Sequence, residues 1–205
     1  MANTNAPFGF SQTSGTGSSP TYENVELPNG GIDYNTTAIY QNDPVVRVGS
    51  GDGTIQQAAG SAGGSTVTLA GVFVSCKYLS TSIKRTVWSN YWPGSDVTSA
   101  NQSTISAYIV NDTNAQFLVQ SDATGVTQAA VGSNFDFAIG TGSTSTGISG
   151  AYLLHTGVTT AAYPWRLLGL YLAPPGGNGT ASGAYNWAYV AFNNVETKNA
   201  TATNT

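Results

Sequence analysis

Residues 66–94, TVTLAGVFVSCKYLSTSIKRTVWSNYWPG, limit what this chain can fold into more than any other stretch. They hold its densest apolar alternation, its only Cys and two of its four Trp. Successive side chains alternate across a pleat. Residues 71–78 are therefore expected as a strand with Val72, Val74, Cys76 and Tyr78 on one face and Phe73, Ser75 and Lys77 on the other. The Ser/Thr-rich residues after it predict a turn, and residues 85–88 a returning strand. Pro93 lacks a ladder donor and Gly94 frees the backbone, so pairing should stop at an aromatic corner, residues 90–94. No catalytic group sits in the stretch, which suggests a protein that works through surfaces.

Small neutral-polar residues fill much of the remainder: 25 Gly, 27 Thr, 21 Ser and 17 Asn in 205 residues. Ser and Asn compete with helical hydrogen bonds and Gly costs backbone entropy, so turns and strands are favoured over helices. Only 8% of residues are charged and the net charge is -4. With six Lys+Arg spread along the chain, no basic footprint for nucleic acid or for a membrane-binding helix is expected. A single Cys excludes an intrachain disulfide. The first twenty residues show neither a basic n-region nor an apolar h-region, and no apolar run approaches the ~20 residues of a spanning helix. The expectation is a soluble product made in a cytoplasm.

Along the chain, residues 1–20 are Gly/Ser/Thr-rich around Phe8 and Phe10. They read as a flexible N-terminal arm, either simply mobile or ordered by a partner with the two Phe as anchors. Asn42-Asp43-Pro44 predicts a turn, with strands at 45–48 and 54–58 after it. Residues 96–103 read as loop. Residues 104–110 and 115–120 read as a hairpin around a four-residue polar loop, with Phe117 and Val119 inward and Gln116, Leu118 and Gln120 outward. Residues 124–131 are the one place for a short helix, and 134–139 resume extended structure. Residues 140–150 read as a flexible surface loop. Residues 165–172 and 185–192 are apolar on both faces, as expected of central strands or strands lying under a partner. The sum is an all-β barrel or sandwich of about ten short, mainly antiparallel strands. The all-β domain is expected over residues 21–196, with 197–205 as a polar C-terminal tail.

No catalytic or metal site, and no cofactor, is expected. His155, the only histidine, lacks a nucleophile motif nearby. Cys76 reads as a small buried hydrophobe. Most of the ten scattered carboxylates fall at turns, where Asp is favoured. Gly51-Asp52-Gly53 is only a fragment of a Ca²⁺ loop, and Gly140-Thr141-Gly142 lacks the strand-to-helix setting of a dinucleotide fingerprint. Aromatics carry more: four Trp, eleven Tyr and seven Phe. Trp88, Tyr91 and Trp92 are candidates for a sugar platform, a core corner or a subunit contact, the last two being the commoner use of rings. Phe8, Phe10, Trp165 and Trp187 join them as candidate subunit or capsid contacts.

Several of these segments together resemble a family of tailed-phage head proteins. They are Ile39-Tyr40-Gln41-Asn42-Asp43-Pro44-Val45, Leu69-Ala70-Gly71-Val72-Phe73-Val74-Ser75-Cys76-Lys77-Tyr78 and Trp88-Ser89-Asn90-Tyr91-Trp92-Pro93. Ala107-Tyr108-Ile109-Val110-Asn111-Asp112, Phe117-Leu118-Val119-Gln120, Thr146-Gly147-Ile148-Ser149-Gly150 and Trp165-Arg166-Leu167-Leu168-Gly169-Leu170 complete the set. The family is typically encoded close to the major capsid protein and is similar to capsid decoration (cement) proteins. The resemblance spans roughly residues 39–195, and the N-terminal arm departs from its pattern. It implies a non-enzymatic virion protein on the outer capsid surface, synthesised in the host cytoplasm, a homotrimer whose partner is the major capsid protein. A carbohydrate-binding or adhesin-like β domain of a phage tail or tip is the competing reading; a hydrolase comes third, for want of acid–base groups.

Overall fold

The computed structural model describes residues 2–15, 23–25, 31–48, 53–60, 67–155 and 161–198. The fold is an all-β sandwich with an extra covering layer. One sheet has the order β1 (Ser11–Ser14), β10 (Gln116–Gln120), β14 (Trp187–Phe192), β13 (Trp165–Leu170), β11 (Asn134–Ala138) and β12 (Tyr152–Leu154). The other runs β2 (Glu23–Val25), β9 (Ser106–Val110), β6 (Gly71–Leu79), β4 (Pro44–Arg47) and β5 (Ile55–Gln57), with β7 (Thr86–Ser89) folded back on β6. A short ribbon pairs β3 (Ile39–Tyr40) with β8 (Tyr91–Trp92). All strand pairs within these sheets are antiparallel.

Two cores follow from that layering. The first fills the sandwich: Phe117, Val119, Phe135, Phe137, Trp165, Leu167, Val190 and Phe192 from the first sheet meet Val72 and Val110 from the second. The second lies under the other face of the second sheet, where Phe73, Cys76, Tyr78 and Ile109 pack against Ile32, Ile39 and Trp92. Because β6 serves both cores, its alternation is apolar on both sides at its start. The single-face set expected there is corrected by a bulge: Phe73 pairs with Ile109 and Ser75 with Tyr108, so two residues of β6 span one of β9. The extra residue keeps Val72 and Val74 toward the first core but turns Cys76 and Tyr78 onto the side of Phe73.

Three further expectations change. Residues 104–110 and 115–120 do not form a hairpin: β9 belongs to the second sheet and β10 to the first, and the Asp112 turn, closed by the Ala115 amide donating to the Asp112 carbonyl, carries the chain between layers. Gln120 keeps the outward side expected of it, opposite Trp187, but is buried there by the N-terminal segment. Residues 140–150 form a packed segment, not a flexible loop: a Cβ on Gly142 would stand 2.3 Å from the Tyr40 ring, and Ser149 is buried. Single 3-10 turns occupy Gln128–Ala130, inside the expected helical stretch, and Ser99–Thr104, largely where loop was expected.

The expected N-terminal arm is also corrected over its described part. Phe10 is fully buried, stacked on Trp165 at 4.0 Å and edge-on to Phe137. Gly9 adopts φ 74°, and a Cβ there would lie 2.5 Å from the Asn42 carbonyl, so glycine is required for the close approach. Asn42 brackets the segment, its carbonyl accepting from the Phe10 amide and its side-chain amide donating to the Phe8 carbonyl. Upstream, Asn3 donates to the Ala181 and Ala184 carbonyls and accepts from the Gly179 and Ala181 amides. The buried Gln120 amide donates to the Thr4 carbonyl and its oxygen accepts from the Ala6 amide, which explains its burial on the outward face of the first sheet. A small polar segment is thus held by apolar burial at one point and by side-chain amides at the others. Residues 16–20 and 199–205 lie outside the described residues.

Candidate interaction surfaces

The seven aromatic contact candidates separate by burial. Phe10, Trp92 and Trp165 are wholly inside the monomer and are corrected from contact residues to core residues. Trp92 stands edge-on to Tyr78 at 5.2 Å, filling the second core. Phe8, Tyr91 and Trp187 are half-buried, and Trp88 is 64% exposed. The expected corner of Trp88, Tyr91 and Trp92 is therefore not one surface. Tyr91 instead stacks on Tyr40 at 5.8 Å across the β3–β8 ribbon.

Two surface groupings emerge in its place. On the outward face of the first sheet, rings form a ladder: Phe8 to Trp187 at 5.1 Å, Trp187 to Tyr171 at 5.3 Å and Tyr171 to Tyr189 at 6.1 Å. A bulge in β13 sets its composition. Leu167 pairs with Val190 and Gly169 with Tyr189, so Leu168 is the extra residue and is pushed outward, 39% exposed. Leu172, just past the strand, is 60% exposed. Arg166 borders this strip on β13.

The second grouping sits where β6 outruns the first sheet. The face of the second sheet that covers the first core at Val72 and Val110 continues past the sandwich, and there carries Ser75, Lys77, Tyr108, Thr86 and Trp88. Trp88 stacks on Tyr108 at 5.6 Å, and the Lys77 ammonium lies 5.5 Å from the indole centroid. A groove of about 380 Å³ lies alongside, lined by Lys77, Leu79, Thr86, Ser103, Thr104 and Ser106.

Titratable groups hold the frame around these surfaces. Asp96 ties down the β6–β7 turn, accepting from the Ser80 and Thr81 hydroxyls and the Ser82 amide. Its slight burial raises its pKa, but those hydrogen bonds outweigh that and hold the carboxyl at about 2. Asp43 is buried without a cation. Burial pushes its pKa up, opposed by hydrogen bonds from Ser149, the Tyr40 amide and Gln57. Burial alone drives the Cys76 thiol up to about 12, so it is an inert core group. His155 donates its backbone amide to Asp122, and its ring stands 6.3 Å from Phe135. Among the described residues no three His, Cys, Asp or Glu side chains are grouped to hold a metal.

No family model, no curated protein and no solved structure matches this chain.

Sequence reasoning missed Lys77, Tyr108, Leu168 and Leu172 as surface residues. The apolar two-faced character of 165–172 did signal the first surface. The meeting of Trp88 with Tyr108 depends on three-strand register and a bulge, which no local pattern reports.

Proposed function

We propose that the chain is a capsid decoration (cement) protein: a non-enzymatic structural protein of a tailed-phage head that binds the outer surface of the expanded shell. It self-associates as a homotrimer, contacts the major capsid protein and ties neighbouring capsomers together. One structural observation supports this beside the resemblance over residues 39–195: the aromatic–aliphatic strip on the first sheet, with Leu168 and Leu172 in solvent. Exposed apolar side chains grouped on one face suit contact with another protein surface. Few charges in such a contact make it insensitive to salt, because apolar contacts are not screened. Modest contacts suffice in a trimer, since each docked subunit raises the effective concentration of the next.

Co-sedimentation with expanded capsids lacking the protein tests the proposal. Saturable binding near one trimer per three-fold position is expected, with loss of at least about tenfold in affinity for the Leu168→Asp/Leu172→Asp double variant. Both positions are exposed, so the variant should keep its melting temperature. Failure to bind any capsid form, or undiminished binding by a folded double variant, overturns it.

A further inference from the structure

We propose that the groove beside Trp88 is a binding site for a carboxylated saccharide, of the uronic-acid type. This goes beyond shell binding and does not depend on it. Three features of the site converge. The first is a ring: Trp88 is 64% exposed, and its stack on Tyr108 fixes the indole in place rather than hiding it. Ser75, the register partner of Tyr108, is short enough to let the indole reach across β6. A held, solvent-facing indole presents an apolar plane to the C–H face of a sugar at little entropic cost.

The second feature is the groove lining. The Thr86, Ser103 and Ser106 side chains supply hydroxyls that both donate and accept, as ring hydroxyls of a sugar do, while the Thr104 hydroxyl is already engaged, donating to the Asn101 carbonyl and accepting from the Leu79 amide. Its volume of about 380 Å³ falls at the small end of ligand sites and matches one or two sugar rings.

The third feature is charge, and it selects the class. The chain carries a net charge of -4, yet three of its six basic residues, Lys77, Lys84 and Arg85, lie on the β6–β7 hairpin; Lys77 is on the groove face, whereas Arg85, two residues before Val87 of the second core, falls on the opposite face. Lys84 and Arg85 are exposed, and the one salt bridge among the described residues joins Arg47 to Glu196 elsewhere. Lys77 is the pivot, because its side chain both lines the groove and reaches over Trp88. A ligand that stacks on the indole therefore sets its carboxylate beside an ammonium. Asp96, the acidic group nearest the turn, is engaged by Ser80, Thr81 and Ser82. An acidic peptide would satisfy Lys77 but would leave the hydroxyls of the groove and the exposed indole unused, so the saccharide is favoured.

The test titrates the full chain with trigalacturonate, with cellotriose as the neutral control and a hexaglutamate peptide as the acidic control. Tryptophan fluorescence and calorimetry are the readouts. The expected result is saturable quenching by trigalacturonate, at least about tenfold weaker binding of cellotriose, and loss of about tenfold or more in Trp88→Ala. Lys77→Gln should weaken trigalacturonate severalfold and leave cellotriose unchanged. Both variants change exposed or surface-facing positions, and unchanged thermal melts establish that they fold. No saturable binding up to ~10 mM, equal binding in Trp88→Ala read by calorimetry, or tighter binding of hexaglutamate than of trigalacturonate overturns the proposal. Capsid binding by Trp88→Ala, measured in parallel, separates the two surfaces: it should be retained.

Discussion

Replacing Phe10 by Ala probes the claim that the N-terminal segment belongs to the core. Phe10 is fully buried, stacks on Trp165 at 4.0 Å and meets Phe137 edge-on at 6.1 Å. Its neighbours are Phe117 and Phe192 around the same indole, a cluster built on rigid strands that cannot collapse into the space left behind. Buried Phe→Ala changes cost ~3–5 kcal/mol, of which the ring pairs account for ~0.5–1.5 kcal/mol each. About 4 kcal/mol is expected here, with no offset from flexible neighbours. For a domain of this size that lowers the melting temperature by ~8–16 °C. Urea unfolding followed by tryptophan fluorescence gives the free energy, and the emission of Trp165 should shift as its stacking partner disappears. Phe8→Ala, truncating a half-buried ring on Trp187, should cost less than Phe10→Ala. A Phe10→Ala loss below about 1 kcal/mol would refute the reasoning, since that is what truncation in a frayed terminus gives.

The two shifted carboxylates act in separate pH windows. Asp43 has a raised folded-state pKa, so its contribution is full below the ordinary carboxylate value of ~3.9 and is lost as pH rises through the raised value. Asp43→Asn should flatten urea-unfolding stability across that interval, and an unchanged slope would contradict the assignment. Asp96 is the reverse: held at about 2, it stabilises above ~3.9 and loses that contribution as pH falls toward 2. Asp96→Ala should loosen the β6–β7 turn, seen as faster amide exchange at Ser82 and Ile83, with little change in the sandwich. Cys76, buried and hydrogen-bonded to the Tyr91 carbonyl, should react with a thiol reagent only as fast as its surroundings open; labelling at the rate of a free thiol would place it outside the core.

Much of the strand inventory was legible because single-face burial leaves a period of two. β10 with Phe117 and Val119 inward, β11 with Phe135 and Phe137, and the central position of β13 and β14 follow that rule. The misreadings have distinct physical causes. Bulges at Val74 and Leu168 each add one residue and reset the alternation, and neither residue looks unusual in sequence. The turn at Asp112 is equally suited to a hairpin and to a crossing between layers; Val110 and Ala115 both reaching the first core decides for the crossing. The N-terminal segment has the composition of a mobile arm, but its order comes from Gly9, Asn42, Asn3 and Gln120, polar contacts more than a hundred residues apart in part. For the surfaces, ring types were readable and ring exposure was not, since Trp92, on the β3–β8 ribbon, is covered in the second core while Trp88, four residues earlier on β7, lies on the opposite face of the second sheet.

The central claim is best tested by imaging expanded capsids with the purified protein bound, at a resolution that shows strands. The account predicts density at three-fold positions in which the strip of Leu168, Leu172 and Tyr189 meets shell or sister subunits, while Trp88 and its groove face solvent. Capsids that stay bare at saturating protein, or a bound body that meets the shell through the Trp88 groove with the first sheet facing solvent, would contradict it.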